Sequence, residues 1–194
     1  MKCVELVILD HMAIRRGLSI LDGMMKKLEE GERIEISDIK AMLTFLQMFG
    51  DDYHQTVEEK ILFPALVRAA AKDSPVHQMV LQHGEERALM SWIIDAFASK
   101  RVVDFVYSCG RLSVLLRAHM DKEETVLCDL AGGLLSVDED AAIVAAFRTS
   151  YRQPEFYVDL SRLERKYTPA VLEKLVVQTH GHNGSRGLYT KLPS

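Results

Sequence analysis

The chain has 194 residues, 48% of them hydrophobic and 27% charged, and its formal net charge is −4. These values are ordinary for a globular protein with a substantial core, and the negative charge argues against general nucleic-acid binding. No apolar run approaches the ~18 residues of a membrane-spanning helix. Glu5 and Asp10 interrupt the N-terminal apolar run, so we expect no signal peptide. Three scattered cysteines without a CxxC pair favour a reduced, cytoplasmic compartment.

Apolar residues at helical spacing dominate the chain before residue 131, and no long alternating strand pattern occurs. The first predicted helix covers about residues 3–29 and ends at Gly31. The second follows the N-cap Ser37 and runs from about 38 towards 70. Pro64 lies inside that second pattern, so we expect it to kink or break the helix.

The third predicted helix follows a turn at residues 73–75 and runs to about residue 98. The fourth covers about residues 102–130 and is expected to stop at Gly132-Gly133. Four long helices with short connections predict an all-α fold, an up-down antiparallel four-helix bundle. We assign residues 1–132 to this bundle as one domain.

Residues 133–179 are predicted to form short C-terminal helices that pack on or near the bundle, and residues 180–194 a flexible tail. The predicted helices are one that opens with a capping box at Ser136 and Glu139 and ends near residue 151, one within 155–166, and one from Thr168-Pro169 to about residue 178. They could cap the bundle, close the mouth of a site or pair with a second subunit, so a homodimer is left open.

One hexad occurs twice, as HQTVEE at residues 54–59 and as HMDKEE at residues 119–124. Positions i and i+4 of a helix lie on one face. The histidine of each hexad therefore shares a face with the first glutamate, as His54 with Glu58 and His119 with Glu123. Both pairs fall on the apolar stripe of their helix, so we expect them to face the core.

The first and third helices each carry a single histidine on the apolar face, His11 and His83. Distances along the chain from the intervening turns place His11 level with His54 and His83 level with His119. The second and third helices are offset by about five residues, or roughly 7 Å of helix rise. We expect a bend at Pro64, or an early end of the second helix, to absorb this offset.

The histidines and glutamates of this pattern are thus expected to converge at one level of the core. Burying an unpaired carboxylate costs several kcal/mol, and two divalent metal ions would offset that cost. The glutamates can bridge the ions while two histidines bind each. Imidazole with carboxylate favours iron, with manganese or zinc as alternatives. The predicted metal ligands are His11, His54, Glu58, His83, His119 and Glu123.

Other histidines and glutamates fit this face less well. His77 is predicted to be exposed, and His180 and His182 to lie in the tail. Three further glutamates are interpreted as solvated groups or as partners of the ligands: Glu59, Glu86 and Glu124.

The ordered pattern H…HxxxE…H…HxxxE resembles the hemerythrin-like HHE cation-binding family. LDHMAIRRGLSIL resembles the opening helix of that family, HQTVEEKILFPAL its H-x3-EE-x2-LFPxL segment, and HMDKEETVL its H-x2-KEE-x2-L segment. The resemblance covers roughly residues 4–132. It implies a four-helix bundle around a non-haem di-iron centre with an oxo or hydroxo bridge, in which both glutamates also bridge.

The pattern departs from that of oxygen-carrying hemerythrins. Those proteins have a further histidine one turn from the third-helix histidine, where this chain has Met79 and Arg87. Their last motif ends in aspartate one position beyond the position of Glu123. The site therefore resembles the four-histidine, two-glutamate bacterial branch, which implies open positions at the irons and reaction with oxygen, peroxide or nitric oxide.

Four functions remain open at this point. A binding or sensing protein would need a separate protein partner for its output. A redox-defence enzyme would reduce peroxide or nitric oxide with an unidentified reductant, or donate iron for cluster repair, a role weakened because only Cys3 stands near the N-terminus. A ferritin-like protein needs Glu-x-x-His on two helices, a spacing the chain lacks. A metal-free interaction module would leave Glu58 and Glu123 without a reason for burial.

Overall fold

The computed structural model describes residues 1–69, 75–150 and 155–168. Within these ranges the chain is helical and contains no strand, which confirms the all-α prediction. No helix in them combines the length and apolarity needed to cross a membrane. The helices are α1 Lys2–Glu29, α2 Ile36–Phe45, α3 Phe63–Ala69, α4 Val76–Ala98, α5 Val102–Leu134, α6 Val137–Ser150 and α7 Glu155–Tyr167.

The second long helix is continuous from α2 to α3, but much of it is π-helical. The segments Leu46–Gln55 and Glu58–Leu62 have the π pattern, in which an N–H group bonds to the carbonyl five residues earlier. Nothing in the sequence indicated this. The α-helical spacing assumed for these residues was therefore wrong, although Nε2 of His54 still lies 3.4 Å from Oε1 of Glu58.

The chain stays helical through Pro64, so the expected early end of the second helix is wrong. Proline at this position follows directly on the change from the π to the α pattern at Phe63. The helix instead runs on to Ala69, and its apolar residues Phe63 and Leu66 join a cluster with α5 and α6. Burial of Phe63 and Leu66 in this cluster favours continuation of the helix beyond Pro64.

Within each of two pairs of long helices, the two helices run in opposite directions. As residue number rises along one helix, the number of the partner residue falls on the next. The pairs that show this are His11–Glu124 and Asp22–Arg117 for α1 with α5, and Glu59–His83 and Asp51–Arg87 for the second helix with α4. The middle of each long helix therefore lies at a common level.

Two hydrophobic clusters fill the interior on either side of that level. We name them after the helices they contain. The α2 cluster includes Leu21, Met42, Phe45, Ile93, Phe105 and Leu163, and the α3 cluster includes Val7, Phe63, Leu66, Met79, Leu127 and Phe147. Along each long helix, buried polar residues stand between the members of one cluster and those of the other.

Helix α5 ends and helix α6 begins close to residue 132, where the first domain was predicted to end. The expected stop of α5 at Gly132-Gly133 is wrong, because the helix continues to Leu134 and ends where Leu135 turns extended, with φ −89° and ψ 136°. Glycine permits a helix to end but does not force it. The predicted capping box is confirmed: Ser136 donates from its N–H and its hydroxyl to Oε2 of Glu139, at 2.9 and 2.8 Å.

Helix α7 confirms the short helix predicted within 155–166, and it docks on the start of α2. Arg162, Lys166 and Tyr167 each donate a hydrogen bond of 2.7 Å to the buried carboxylate of Asp38. A Cβ atom at Gly23 would collide with the carbonyl oxygen of Tyr167, so this close approach requires glycine. The helix predicted to follow Pro169 and the predicted tail lie outside the described residues.

Candidate metal centre

A layer of buried polar side chains separates the α2 cluster from the α3 cluster. All six predicted metal ligands lie in it, and none is more than 3% exposed. They form two groups whose potential ligand atoms lie within 4.8 Å of one another, with Glu123 in both. The first group is His11, His54, Glu58 and Glu123, and the second is His83, His119 and Glu123. We call these six residues and their hydrogen-bond partners the polar layer.

Each histidine directs its Nε2 atom at one of the two glutamates. Oε1 of Glu58 lies 3.4 Å from Nε2 of His54, and Oε2 lies 3.6 Å from Nε2 of His83. Oε2 of Glu123 lies 3.3 Å from Nε2 of both His11 and His119. Each glutamate thus contacts one histidine of each pair, which is the position a bridging carboxylate would take.

Hydrogen bonding within the polar layer does not satisfy these atoms. Both carboxylate oxygens of Glu58 and of Glu123, and Nε2 of His11, are buried without a hydrogen-bond partner among the described residues. Nε2 of His83 and Nε2 of His119 lie only 3.1 Å apart. Unsatisfied buried groups are costly and rare. The donor set of imidazole nitrogens and carboxylate oxygens fits iron, manganese or zinc, so the residues present suit a pair of such ions.

Acidic or amide oxygens lie near Nδ1, the second ring nitrogen of each imidazole. The Nδ1 atoms of His83 and His11 lie 2.8 and 2.9 Å from carboxylate oxygens of Glu59 and Glu124. Nδ1 of His54 lies 3.5 Å from Oδ2 of Asp10, and Nδ1 of His119 lies 3.4 Å from Oε1 of Gln82. Such partners fix the ring orientation of metal-binding histidines. Glu59 and Glu124 therefore act as partners of the histidines, one of the two roles predicted for them.

Two arginines extend these contacts to the surface. Arg15 donates to Glu124 at 2.6 Å, and Arg87 donates to Glu59 at 2.8 Å. Arg15 also pairs with Asp121, and Arg87 also pairs with Asp51. Two chains of histidine, glutamate and arginine thus run outward from the polar layer, one on α1 and α5 and one on α4 and the second helix.

Burial and charge control protonation in the polar layer. Burial lowers the pKa of His54 and lowers that of His83 to about 4, which keeps both imidazoles in the neutral form that binds metals. Burial, reinforced by the nearby Glu123 carboxylate, raises the pKa of Glu58. Burial opposes ionisation of Glu123 as well, but its contacts with His11 and His119 outweigh this and lower its pKa.

A cavity of about 30 Å³ adjoins the polar layer on the side of the α2 cluster. His54 and His119, one from each group, form its inner wall, and Gly50, Asp51 and Arg87 lie at its outer side, where all three are partly exposed. Its apolar wall is formed by Ile14, Leu46, Met90, Leu112, Leu116 and Met120. The cavity therefore lies between the protein surface and both histidine pairs.

Two polar side chains also line this cavity, and the sequence interpretation missed their role. Gln55 is 5% exposed and Glu86 is 3% exposed, so the solvated role predicted for Glu86 is wrong. Its other predicted role, as a partner of the ligands, agrees with the 3.9 Å between its Oε1 and Nδ1 of His119. Nε2 of Gln55 donates to Oε2 of Glu86 at 2.6 Å. Burial raises the pKa of Glu86 to about 7. The spacing of Glu86 three residues after His83 was the available sequence signal, because i and i+3 share a helix face.

The remaining candidates lie apart from the polar layer. His77 is exposed, as predicted, whereas His180 and His182 lie outside the described residues. Cys3 and Cys109 are buried thiols, and burial raises the pKa of each to about 12. Neither cysteine is therefore a candidate for thiolate chemistry at neutral pH.

A family model described as the hemerythrin HHE cation binding domain matches residues 3–131. No curated protein and no solved structure matches the chain. The matched range contains all six residues that converge in the polar layer, together with Gln55 and Glu86. Helices α6 and α7 lie beyond it.

Proposed function

Because the chain belongs to the hemerythrin HHE cation-binding domain family, we propose that it is a non-haem di-iron protein that binds or reacts with oxygen, nitric oxide or hydrogen peroxide. In this proposal residues 1–132 form an up-and-down antiparallel four-helix bundle, which the opposite-running helix contacts support. The metal ligands are His11, His54, Glu58, His83, His119 and Glu123, as in the four-histidine, two-glutamate branch.

The observation that supports this proposal best is the sharing of two buried carboxylates between two histidine pairs. Two iron ions joined by an oxo or hydroxo bridge would supply electrons and open coordination positions there, and manganese or zinc are the alternative metals. The chain itself orients three of the imidazoles by hydrogen bonds at Nδ1, and Nδ1 of His54 faces Oδ2 of Asp10 at 3.5 Å. The two apolar clusters exclude bulk water from the polar layer.

We place this activity in sensing or in redox and nitrosative stress defence in the cytoplasm, with a separate protein partner or reductant. The cavity beside His54 and His119 supports a ligand of very few atoms. The alternative is an iron-handling role, either iron donation for iron–sulfur cluster repair or ferritin-like oxidation and storage. Burial of all six ligands favours a retained cofactor over ready release of iron.

The first test is the metal content and optical spectrum of the purified protein. We expect about two iron ions per chain and near-ultraviolet absorption from an oxo-bridged ferric pair, which changes on reduction. Protein without stoichiometric iron, even after anaerobic reconstitution with ferrous ion, would overturn the di-iron assignment.

Single substitutions then test the ligand set. His54→Ala or Glu58→Ala should lower the metal content and the melting temperature together, because binding to the folded state stabilises it. His77→Ala is the matched control, since His77 is an exposed histidine of α4. Wild-type metal stoichiometry in the His54 or Glu58 variant would contradict the assignment of that residue.

A further inference from the structure

The Gln55–Glu86 pair has hydrogen-bonding capacity that the protein does not use. One hydrogen bond joins the two side chains, from Nε2 of Gln55 to Oε2 of Glu86. The other oxygen of each group, Oε1 of Gln55 and Oε1 of Glu86, is buried and accepts no hydrogen bond in the described part of the chain; Oε1 of Glu86 lies 3.9 Å from Nδ1 of His119, beyond hydrogen-bond distance. Both side chains line the cavity beside the polar layer. A molecule in that cavity is therefore the natural partner for these two oxygens.

The chemistry of the pair specifies what such a molecule must offer. The bond donated by the amide fixes its orientation and leaves its carbonyl as an acceptor. Oε1 of an ionised Glu86 is also an acceptor, and in the protonated acid it becomes part of a group that donates or accepts. In either state the Gln55 carbonyl needs a hydrogen-bond donor. Oxygen and nitric oxide carry no hydrogen, whereas hydrogen peroxide has two O–H donors and two acceptor oxygens.

The size of the cavity limits the ligand further. Its volume is about 30 Å³, and a single water requires about 10–15 Å³ on such a measure. Two heavy atoms therefore fit, while an alkyl hydroperoxide does not. The apolar wall, which includes Met90 and Leu112, offers no competing hydrogen bond, and Arg87 and Asp51 at the outer side bond to each other.

We propose that this cavity is a hydrogen peroxide site, in which Gln55 and Glu86 position the ligand against His54 and His119. The proposal rests on the proposed di-iron function and names its substrate class. Hydrogen peroxide would accept one electron from each of two ferrous ions and two protons from solvent. Its O–O bond would break and two waters would leave, with the two electrons supplied by the metal pair. Gln55 and Glu86 are positioning residues in this reaction.

The test compares the Gln55→Leu/Glu86→Leu double variant with wild type and with Gln78→Leu/Glu85→Leu, which makes the same two replacements at exposed positions of α4 away from the cavity. In the anaerobic ferrous proteins, the double variant should oxidise about 10- to 100-fold more slowly with hydrogen peroxide, as the loss of two hydrogen bonds implies. Its nitric oxide affinity should stay within about threefold, since nitric oxide cannot donate to either oxygen. Gln78→Leu/Glu85→Leu should change neither quantity. Equal peroxide rates in wild type and double variant, or equal losses for both ligands, would overturn the proposal.

Size selection is measured with tert-butyl hydroperoxide on the wild type. We expect it to oxidise the ferrous protein far more slowly than hydrogen peroxide, and equal rates would contradict the volume argument. Iron content is determined for every variant. A wild type without iron would sink the proposed function, whereas full iron content with unselective reactivity would sink only the peroxide site.

A metal-independent measurement guards against a double variant that folds poorly. In high-resolution crystals of the metal-free wild type, we expect an ordered solvent molecule within hydrogen-bond distance of Oε1 of Gln55 and Oε1 of Glu86, because water is also a donor. In Gln55→Leu alone that molecule should be lost or displaced. A wild-type cavity without density at these two oxygens would overturn the proposed site.

Discussion

The two sides of the polar layer differ in packing and polarity. On the α3-cluster side, Phe63 is 2% exposed and its ring stacks on that of His83, with centroids 5.7 Å apart. On the α2-cluster side, the cavity and the Gln55–Glu86 pair separate His54 and His119 from the apolar residues. One side packs directly against His83, and the other leaves a cavity beside His54 and His119, so the two sides of the site are not equivalent.

The closed side should be the more costly to disturb. Phe63→Ala removes a fully buried ring that packs on His83, and such truncations lower the free energy of unfolding by about 3–5 kcal/mol. Loss of iron to a chelator should also become faster, since water gains access to the ring of His83. Denaturant unfolding and chelator kinetics measure both effects.

Val67→Ala provides the control on the same helix, because Val67 is 51% exposed. Its free energy of unfolding should change by no more than about 0.5 kcal/mol. A Phe63→Ala protein as stable as this control would remove the distinction between the two sides.

A single type of substitution placed on each side sharpens the comparison. Leu127→Phe adds volume to a fully packed position of the α3 cluster and should lower the free energy of unfolding by about 1–3 kcal/mol. Leu112→Phe places the same ring beside the cavity and should change it by less than about 1 kcal/mol. Equal destabilisation by the two substitutions would contradict the asymmetry.

Leu112→Phe also tests access. By filling the cavity it should slow the reactions with hydrogen peroxide and with nitric oxide alike, while iron content stays at the wild-type level. This differs from the double variant of Gln55 and Glu86, for which only the peroxide reaction should slow. Stopped-flow traces of both ligands with both variants distinguish steric from hydrogen-bonding effects.

The residues at the centre of the layer could be found from the sequence, because each obeys a local rule. His119 and Glu123 sit four residues apart on an apolar stripe, and His11 and His83 occupy the apolar face of their own helices. The capping box at Ser136 is equally local. Helical periodicity places each of these residues on the apolar face of its own helix, and distances along the chain from the turns predict their common level.

The residues around the centre depend on tertiary structure. Asp10 contacts His54 of another helix, and this pairing depends on the rotation of both helices about their axes. No role was predicted for Gln55 from the sequence, because residue i+1 of an α-helix points about 100° away from residue i, here His54. Gln55 ends the first π-helical segment, and its side chain is buried beside Glu86. The sequence indicates neither the π pattern nor this contact between two helices, so this part of the cavity wall could not be predicted.

The two C-terminal helices lie beyond the range that the family model matches, and each packs on a different hydrophobic cluster. Helix α6 closes the α3 cluster through Phe147, and its Asp140 accepts the backbone N–H groups of Lys2 and Cys3 at 3.1 and 3.0 Å. Helix α7 closes the α2 cluster through Leu163 and is tied by side chains to Asp38. An aspartate thus fastens each helix, but Asp140 binds backbone N–H groups, whereas Asp38, on the cavity side, binds side chains that include two cations.

Acid should loosen that fastening. Burial opposes ionisation of Asp38, but hydrogen bonds from Lys166, Tyr167 and Arg162 outweigh it and lower its pKa from 3.8 to about 2. A lowered pKa means that the unfolded chain binds the proton more tightly, so the stabilisation is fully present above about pH 4 and is lost as the pH falls towards about 2. Since Arg162 is 48% exposed and screened by solvent, we expect only about 1 kcal/mol.

Asp38→Asn measures this contribution. At pH 7 the free energy of unfolding of the variant should be about 1 kcal/mol lower than that of wild type. The difference should shrink between about pH 4 and pH 2, because Asp38 itself becomes neutral over this range. Hydrogen exchange should locate the change in α7. Asp104→Asn, which breaks a surface pair with Arg101, should cost less than about 0.5 kcal/mol. A difference between Asp38→Asn and wild type that stays constant with pH would show that Asp38 fastens α7 by shape and not by its charge.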